Sequence, residues 1–174
     1  MKPPLLPTFV LALLAAACGS APSREPAGRV RALVTRPPKD TTRFEAPARA
    51  SRCSGRDSSR IHGVLLRGSR TGNGVVIWLR SPDTVASGAW PLLQRGDTAS
   101  PRGATVAVRY MVKEIPHGLT LDSGAVDVRR DDRGLTVVAR GAGLESAIMG
   151  RVRLEASFDP VPLGTDTVPC RPNP

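Results

Sequence analysis

"AIMGRVRLEASF" (residues 147–158) decides the class of fold, because apolar and polar residues alternate along it. Ile148, Val152, Leu154, Ala156 and Phe158 share one face, and Arg151, Arg153, Glu155 and Ser157 share the other. A period of two is what a half-buried strand requires, and a helix cannot use it. "ATVAVRYMVK" (104–113) repeats the pattern, with Val106, Val108, Tyr110 and Val112 opposite Thr105, Ala107, Arg109 and Met111. Upstream, "IHGVLLRG" (61–68) and "GVVIWLR" (74–80) are aliphatic runs joined by "SRTGNG", in which Asn73-Gly74 is a tight-turn dipeptide. "GAWPLL" (88–93) contains Pro91, which confines it to a sheet edge or a bulge. "GAVDVRR" and "LTVVAR" flank "DDRG" (131–134), a hairpin loop by composition. No stretch carries a sustained helical stripe. About seven short strands separated by Gly or Asp turns predict an all-β fold, an antiparallel sandwich or small barrel over residues 61–170, followed by a tail at 171–174.

The other end of the chain speaks to compartment. Lys2 precedes a short apolar run from Leu5 to Ala17 that is interrupted only by Pro7 and Thr8, the order of a secretory signal over residues 1–17. The run is shorter than the roughly 20 residues a membrane-spanning helix needs. "LLAAAC" (13–18) resembles the lipobox of bacterial lipoproteins, with small residues directly before Cys18. The resemblance implies cleavage before Cys18, a diacylglyceryl group on its sulfur and a fatty acyl group on its amine. Ala15 stands where that family prefers Leu, and ordinary cleavage after "AAA" without lipid is the alternative. Gly19, rather than Asp, implies the outer rather than the inner membrane. Lipid anchoring puts the mature chain on the periplasmic side or the cell surface of the envelope. With Cys18 acylated, Cys53 and Cys170 remain as a disulfide pair that closes a long loop, worth about 4–5 kcal/mol in the chain-entropy model.

Residues 18–60 contain five prolines (Pro22, Pro26, Pro37, Pro38, Pro47) and an excess of basic residues, which predicts a disordered tether. "RVRALVT" (29–35) is its one stretch able to form a strand. The whole sequence carries a formal charge of +10, and 22 of its 25 basic residues are Arg. Aromatics at 3% are too few to build base-stacking platforms, so nucleic acid is not an expected partner.

Chemistry-bearing residues are sparse. There are two histidines, His62 and His117. Glu114 lies three residues before His117 and would complete a weak metal pair, but Pro116 prevents the helix that would stack them. "Pro116-His117-Gly118" therefore reads as a turn with an exposed imidazole. His62 lies near Ser58 and Ser59, without the strained elbow that a serine hydrolase needs. Trp90, beside Pro91, is the candidate surface residue for a ligand, whereas Trp78 reads as core. "RGD" at 95–97 reads as a surface loop. These residues point to a lipid-anchored, non-catalytic β module of the cell envelope that binds an envelope partner or small ligand, with no cofactor. The alternative is a periplasmic hydrolase or metal-assisted enzyme using His62 or His117. A histidine in a cleft within reach of a carboxylate or serine would favour the second.

Overall fold

Val30, Ala32 and Val34 make a strand out of the arginine-rich stretch that reads as tether. All three point inward, while Arg29 and Arg31 point to solvent. The computed structural model describes residues 28–54, 62–97, 99–145, 147–148 and 150–170. Cys18, the signal segment, Ser58 and Ser59 lie outside the described residues.

The chain is all-β and almost wholly antiparallel, as its alternation predicts, but it uses eleven strands rather than about seven. β1 (Gly28–Arg36) and β2 (Asp40–Ser54) form a hairpin at the middle of the sheet. The expectation of a spacer over 18–60 is thus corrected for residues 28–54, and the β domain begins at Gly28 instead of Ile61. In β2, Ala46, Ala48 and Ala50 face inward and Glu45, Pro47 and Arg49 outward, so the period is kept by alanines instead of large aliphatics. Pro47 is tolerated because β3 begins to pair with β2 only at Ala48, leaving one edge of the strand free at the proline.

β3 (His62–Arg70) and β4 (Asn73–Arg80) follow as a hairpin. Its turn is Thr71-Gly72, both with positive φ, and Asn73-Gly74 instead opens β4. The Asn73 side chain works as a clamp, its Oδ1 accepting the Met111 N–H at 2.9 Å. β5 (Gly88–Trp90) is a three-residue edge strand ended by Pro91. β6 (Gly103–Val112) and β7 (Ile115–Thr120) form the next hairpin, turning at Lys113 and Glu114. β8 (Ser123–Asp131), β9 (Gly134–Glu145) and β10 (Gly150–Val161) form a meander. Ile148, expected on the inner face, precedes β10 and is 39% exposed. β11 (Leu163–Pro169) pairs in parallel with the far half of β2.

The strand order β5-β8-β9-β10-β1-β2-β3-β4-β6-β7 curls back on itself. Leaving β5, the chain joins β6 at the other end of the order: the Leu93 N–H donates to Ala104 O and the Ala104 N–H to Pro91 O, each at 2.8 Å. Beyond β7, the Leu121 N–H reaches Val106 O on β6 and the Asp122 N–H reaches Ala142 O on β9. Gly141 and Gly143 permit that crossing, because a Cβ on either would overlap the backbone oxygen of Ser123 or Thr120. These links bring the two ends of the sheet together, so that it curls into a barrel-like fold. Its interior is one cluster fed by β1 through β10, with Trp90, Tyr110, Phe158, Leu66 and Ile77 fully or nearly fully buried.

A smaller cluster lies outside the wall. Trp78, Leu65 and Val76 pack there with Cys53, beneath Val168 and Cys170. The expected Cys53–Cys170 disulfide is formed, with the Cα atoms 4.9 Å apart, and the Cys170 N–H donates to Ser54 O. Trp78 is buried as expected, though under the disulfide rather than inside the barrel. The remaining wall is charged: Arg31, for example, reaches Glu45 at 3.3 Å and Asp159 at 3.1 Å. An apolar inside and a charged outside invert the pattern of a lipid-embedded barrel.

Candidate functional site

The barrel has two ends, and they differ in chemistry. One end carries the hairpins β1–β2, β3–β4 and β6–β7, and there the inward parity of three strands delivers polar residues. Tyr110 continues the row Val106, Val108 on β6, and His117 lies directly opposite it on β7. Their rings stack with centroids 5.6 Å apart and planes 24° apart. Glu145 closes the row Leu135, Val137, Ala139 on β9 and is 1% exposed.

The Glu145 carboxylate accepts the Tyr110 hydroxyl on Oε2 and faces His117 Nδ1 with Oε1. That arrangement puts the imidazole proton on Nδ1, where it donates to the carboxylate. Burial pushes the Tyr110 phenol above its ordinary range, and the Glu145 hydrogen bond and charge push the same way, whereas Arg36 opposes them. Tyr110 is thus a donor at neutral pH. The Arg36 guanidinium lies 6.0 Å from the Tyr110 ring centre and is paired with Asp40.

His117 is therefore not an exposed imidazole in a turn. The turn falls three to four residues before it, at Lys113-Glu114, and Pro116 is accommodated on the outer face of the edge strand β7. Glu114 sits in that turn, exposed, and does not join His117. Among the described residues no group of three or more His, Cys, Asp or Glu side chains is placed to hold a metal.

Among the described residues the opposite end is different. A cavity of about 850 Å³ is sunk into it, floored by the barrel residues Val64, Val85 and Leu135 together with Leu163 of β11. Around it stand Arg52, His62, Asp83, Arg130, Asp132 and Arg133. The β8–β9 hairpin ties off part of this charge: Asp131 reaches Arg129 at 3.5 Å and Arg133 at 3.9 Å, and accepts the Arg133 N–H. Arg130 donates to Val85 O, which fixes the loop after β4 against β8. Among the described residues the side chains of Arg52, His62, Asp83 and Asp132 have no hydrogen-bonded or ionic partner. The size is that of a small-molecule site.

The chain matches no family model, and no curated protein or solved structure matches it. Function therefore rests on these two ends.

Of the sequence candidates, the fold brings His62 to the mouth of this cavity and His117 to the hairpin end, so they do not form one site. Trp90, expected at the surface, is 2% exposed inside the barrel. Its Nε1–H donates to Ala86 O at 3.2 Å and the Arg102 guanidinium covers its ring at 4.5 Å, so it is no ligand platform. The "RGD" aspartate is used internally. Asp97 accepts the Ala99 and Ser100 N–H groups at 2.9 Å and the Ser100 hydroxyl at 2.6 Å, and these bonds hold its carboxyl below the ordinary range.

Proposed function

We propose that this protein is a lipid-anchored, non-catalytic β-barrel module of the bacterial cell envelope, fixed to the membrane through an acyl group at Cys18, that binds a small ligand in its mouth. One observation carries the ligand-binding half: the 850 Å³ cavity combines an apolar floor with side chains that have no partner among the described residues. Ligand sites have this make-up, apolar surface for affinity and a few convergent polar groups for orientation. The anchoring half rests on the "LLAAAC" stretch ending in Cys18.

Intact mass of the mature chain, with Cys18→Ala as control, tests the anchor. Unmodified wild type in the soluble envelope fraction would remove it. Titration with the polarity-sensitive dye anilinonaphthalene sulfonate tests the mouth. Emission should rise on binding and rise less in Leu163→Asn, a change in the floor. Absence of binding would overturn the ligand reading.

A competing reading, an enzyme built on His117, draws support from its contact with Glu145. Such an enzyme needs a nucleophile or a metal beside the imidazole. Among the described residues His117 Nδ1 meets Glu145, itself occupied by Tyr110, and neither a hydroxyl or thiol nucleophile nor a metal-ligating group of three side chains is placed with the imidazole. Ester hydrolysis that disappears in His117→Asn would reverse this preference.

A further inference from the structure

We propose that the mouth receives the headgroup of a membrane lipid bearing both a phosphate and a primary ammonium, while its acyl chains stay in the bilayer. The inference rests on the anchored-module reading above and names its ligand.

Three observations converge on it. First, the unpartnered side chains at the mouth have both signs: Arg52 and His62 on the hairpin arms of β2 and β3, Asp83 after β4, and Asp132 at the β8–β9 turn. A guanidinium matches a phosphate bidentately, and carboxylates match the N–H donors of an ammonium. A simple anion would leave Asp83 and Asp132 facing like charge, so a zwitterion fits better.

Second, the cavity is wide but stops at the core. Behind Val64, Val85 and Leu135 the barrel is filled by Leu66, Leu79 and Phe158, all fully buried. A headgroup fits in such a mouth, and the packed core behind it leaves no room for an acyl chain among these described residues. The ligand's apolar part must therefore remain elsewhere.

Third, the chain enters the fold at this end. Gly28 packs against Pro160 and Val161, directly before the mouth residues Pro162 and Leu163. About ten residues separate Cys18 from Gly28, and at ~3.3–3.6 Å per residue they span at most ~35 Å. An acylated Cys18 would thus hold the mouth end within reach of the bilayer.

The test uses residues 19–174, which lack the anchor and keep every described strand and the whole core. The protein is sedimented with vesicles of phosphatidylcholine alone, or with added phosphatidylethanolamine or phosphatidylglycerol, at about 0.15 M salt. Ethanolamine vesicles should bind about tenfold better than choline vesicles, whose trimethylammonium cannot donate a hydrogen bond. Asp83→Asn combined with Asp132→Asn should erase that preference, and Arg52→Gln should weaken binding to both. Arg153→Gln, on the outer wall toward the hairpin end, should change nothing. Soluble glycerophosphoethanolamine should compete only at far higher concentration than the lipid.

Equal binding to ethanolamine and choline vesicles, or preference for phosphatidylglycerol, would overturn the proposal. So would saturation by glycerophosphoethanolamine as tightly as by vesicles, which would assign a free metabolite instead. If the dye binds the mouth while lipid preference is absent, the inference falls and the small-ligand reading stands. If the dye fails to bind as well, both fall.

Discussion

The two ends of the barrel solve the same problem in opposite ways. At the hairpin end, a carboxylate, a phenol and an imidazole answer one another through both carboxylate oxygens, the phenol hydroxyl and Nδ1 of the imidazole. At the mouth, side chains of both signs surround an apolar floor, and Arg52, Asp83 and Asp132 have no partner among the described residues. Buried polar groups that satisfy one another rigidify a core, whereas exposed groups held apart by their scaffold are available for recognition. Histidine occurs at both ends, so residue type alone does not tell a structural site from a binding site. The partners do.

The ends also differ in what holds them, and this can be tested by removing each fastening. The largest effect is expected at the mouth, where Cys53 and Cys170 are 117 positions apart in sequence. Replacing both by Ala should lower unfolding stability by up to about 4 kcal/mol, measured in denaturant, while the far-ultraviolet circular dichroism of the barrel persists.

At the hairpin end, Glu145→Ala leaves two buried donors without an acceptor and should cost about 3 kcal/mol. The triple replacement Glu145→Leu, Tyr110→Phe, His117→Phe removes the polar groups together and should cost less than Glu145→Ala alone. An equal or greater cost would mean that the trio stabilises the fold beyond satisfying itself. Dye binding at the mouth should survive both changes, and its loss would break the separation of the two ends.

The smallest effect is a pH dependence in the loop beside the mouth-end strands. The Asp97 carboxyl lies below its ordinary value because of the bonds from Ser100 and then Ala99. A depressed folded value contributes stability that is present above the ordinary carboxylate range and is lost as pH falls through the folded value. Acidification below about pH 4 should therefore lower the amide-exchange protection factors, relative to the intrinsic rate at each pH, of Ala99 and Ser100 in wild type. In Asp97→Asn their protection should be lower at neutral pH already, with little further change on acidification.

Much of the barrel was legible because its strands advertise themselves. β6 and β8–β10 use Val, Leu and aromatics at alternate positions, β3 and β4 carry continuous aliphatic runs, and the face of β6 formed by Val106, Val108 and Tyr110 is the inner one. β1 and β2 were harder to see, since their inward row is mostly valine and alanine among arginines and prolines, and composition there outweighs parity. Small residues suffice at that wall because bulky ones such as Phe158 and Trp90 already fill the interior. Glu145 was missed for a related reason. A charged residue at a strand end reads as solvent-facing, yet Leu135, Val137, Ala139, Gly141, Gly143 and Glu145 lie in step on one face. Counting that parity through the two glycines would have brought the carboxylate inward. The mouth was not legible at all, because Arg52, Asp83 and Asp132 come from three distant hairpins and loops that only the curling of the sheet brings together.

The place of β1 in the sheet has a mechanical consequence. The strand is flanked on both sides, by β10 and by β2, along nearly its whole length. A pull on the segment before Gly28 runs along the strand axis and loads both hydrogen-bond ladders in shear, many bonds at once, instead of peeling them singly. The opposite terminus cannot serve as a weak seam either, because β11 is riveted to β2 by the disulfide. A barrel held by its first strand in this way yields to tension only when both ladders fail together.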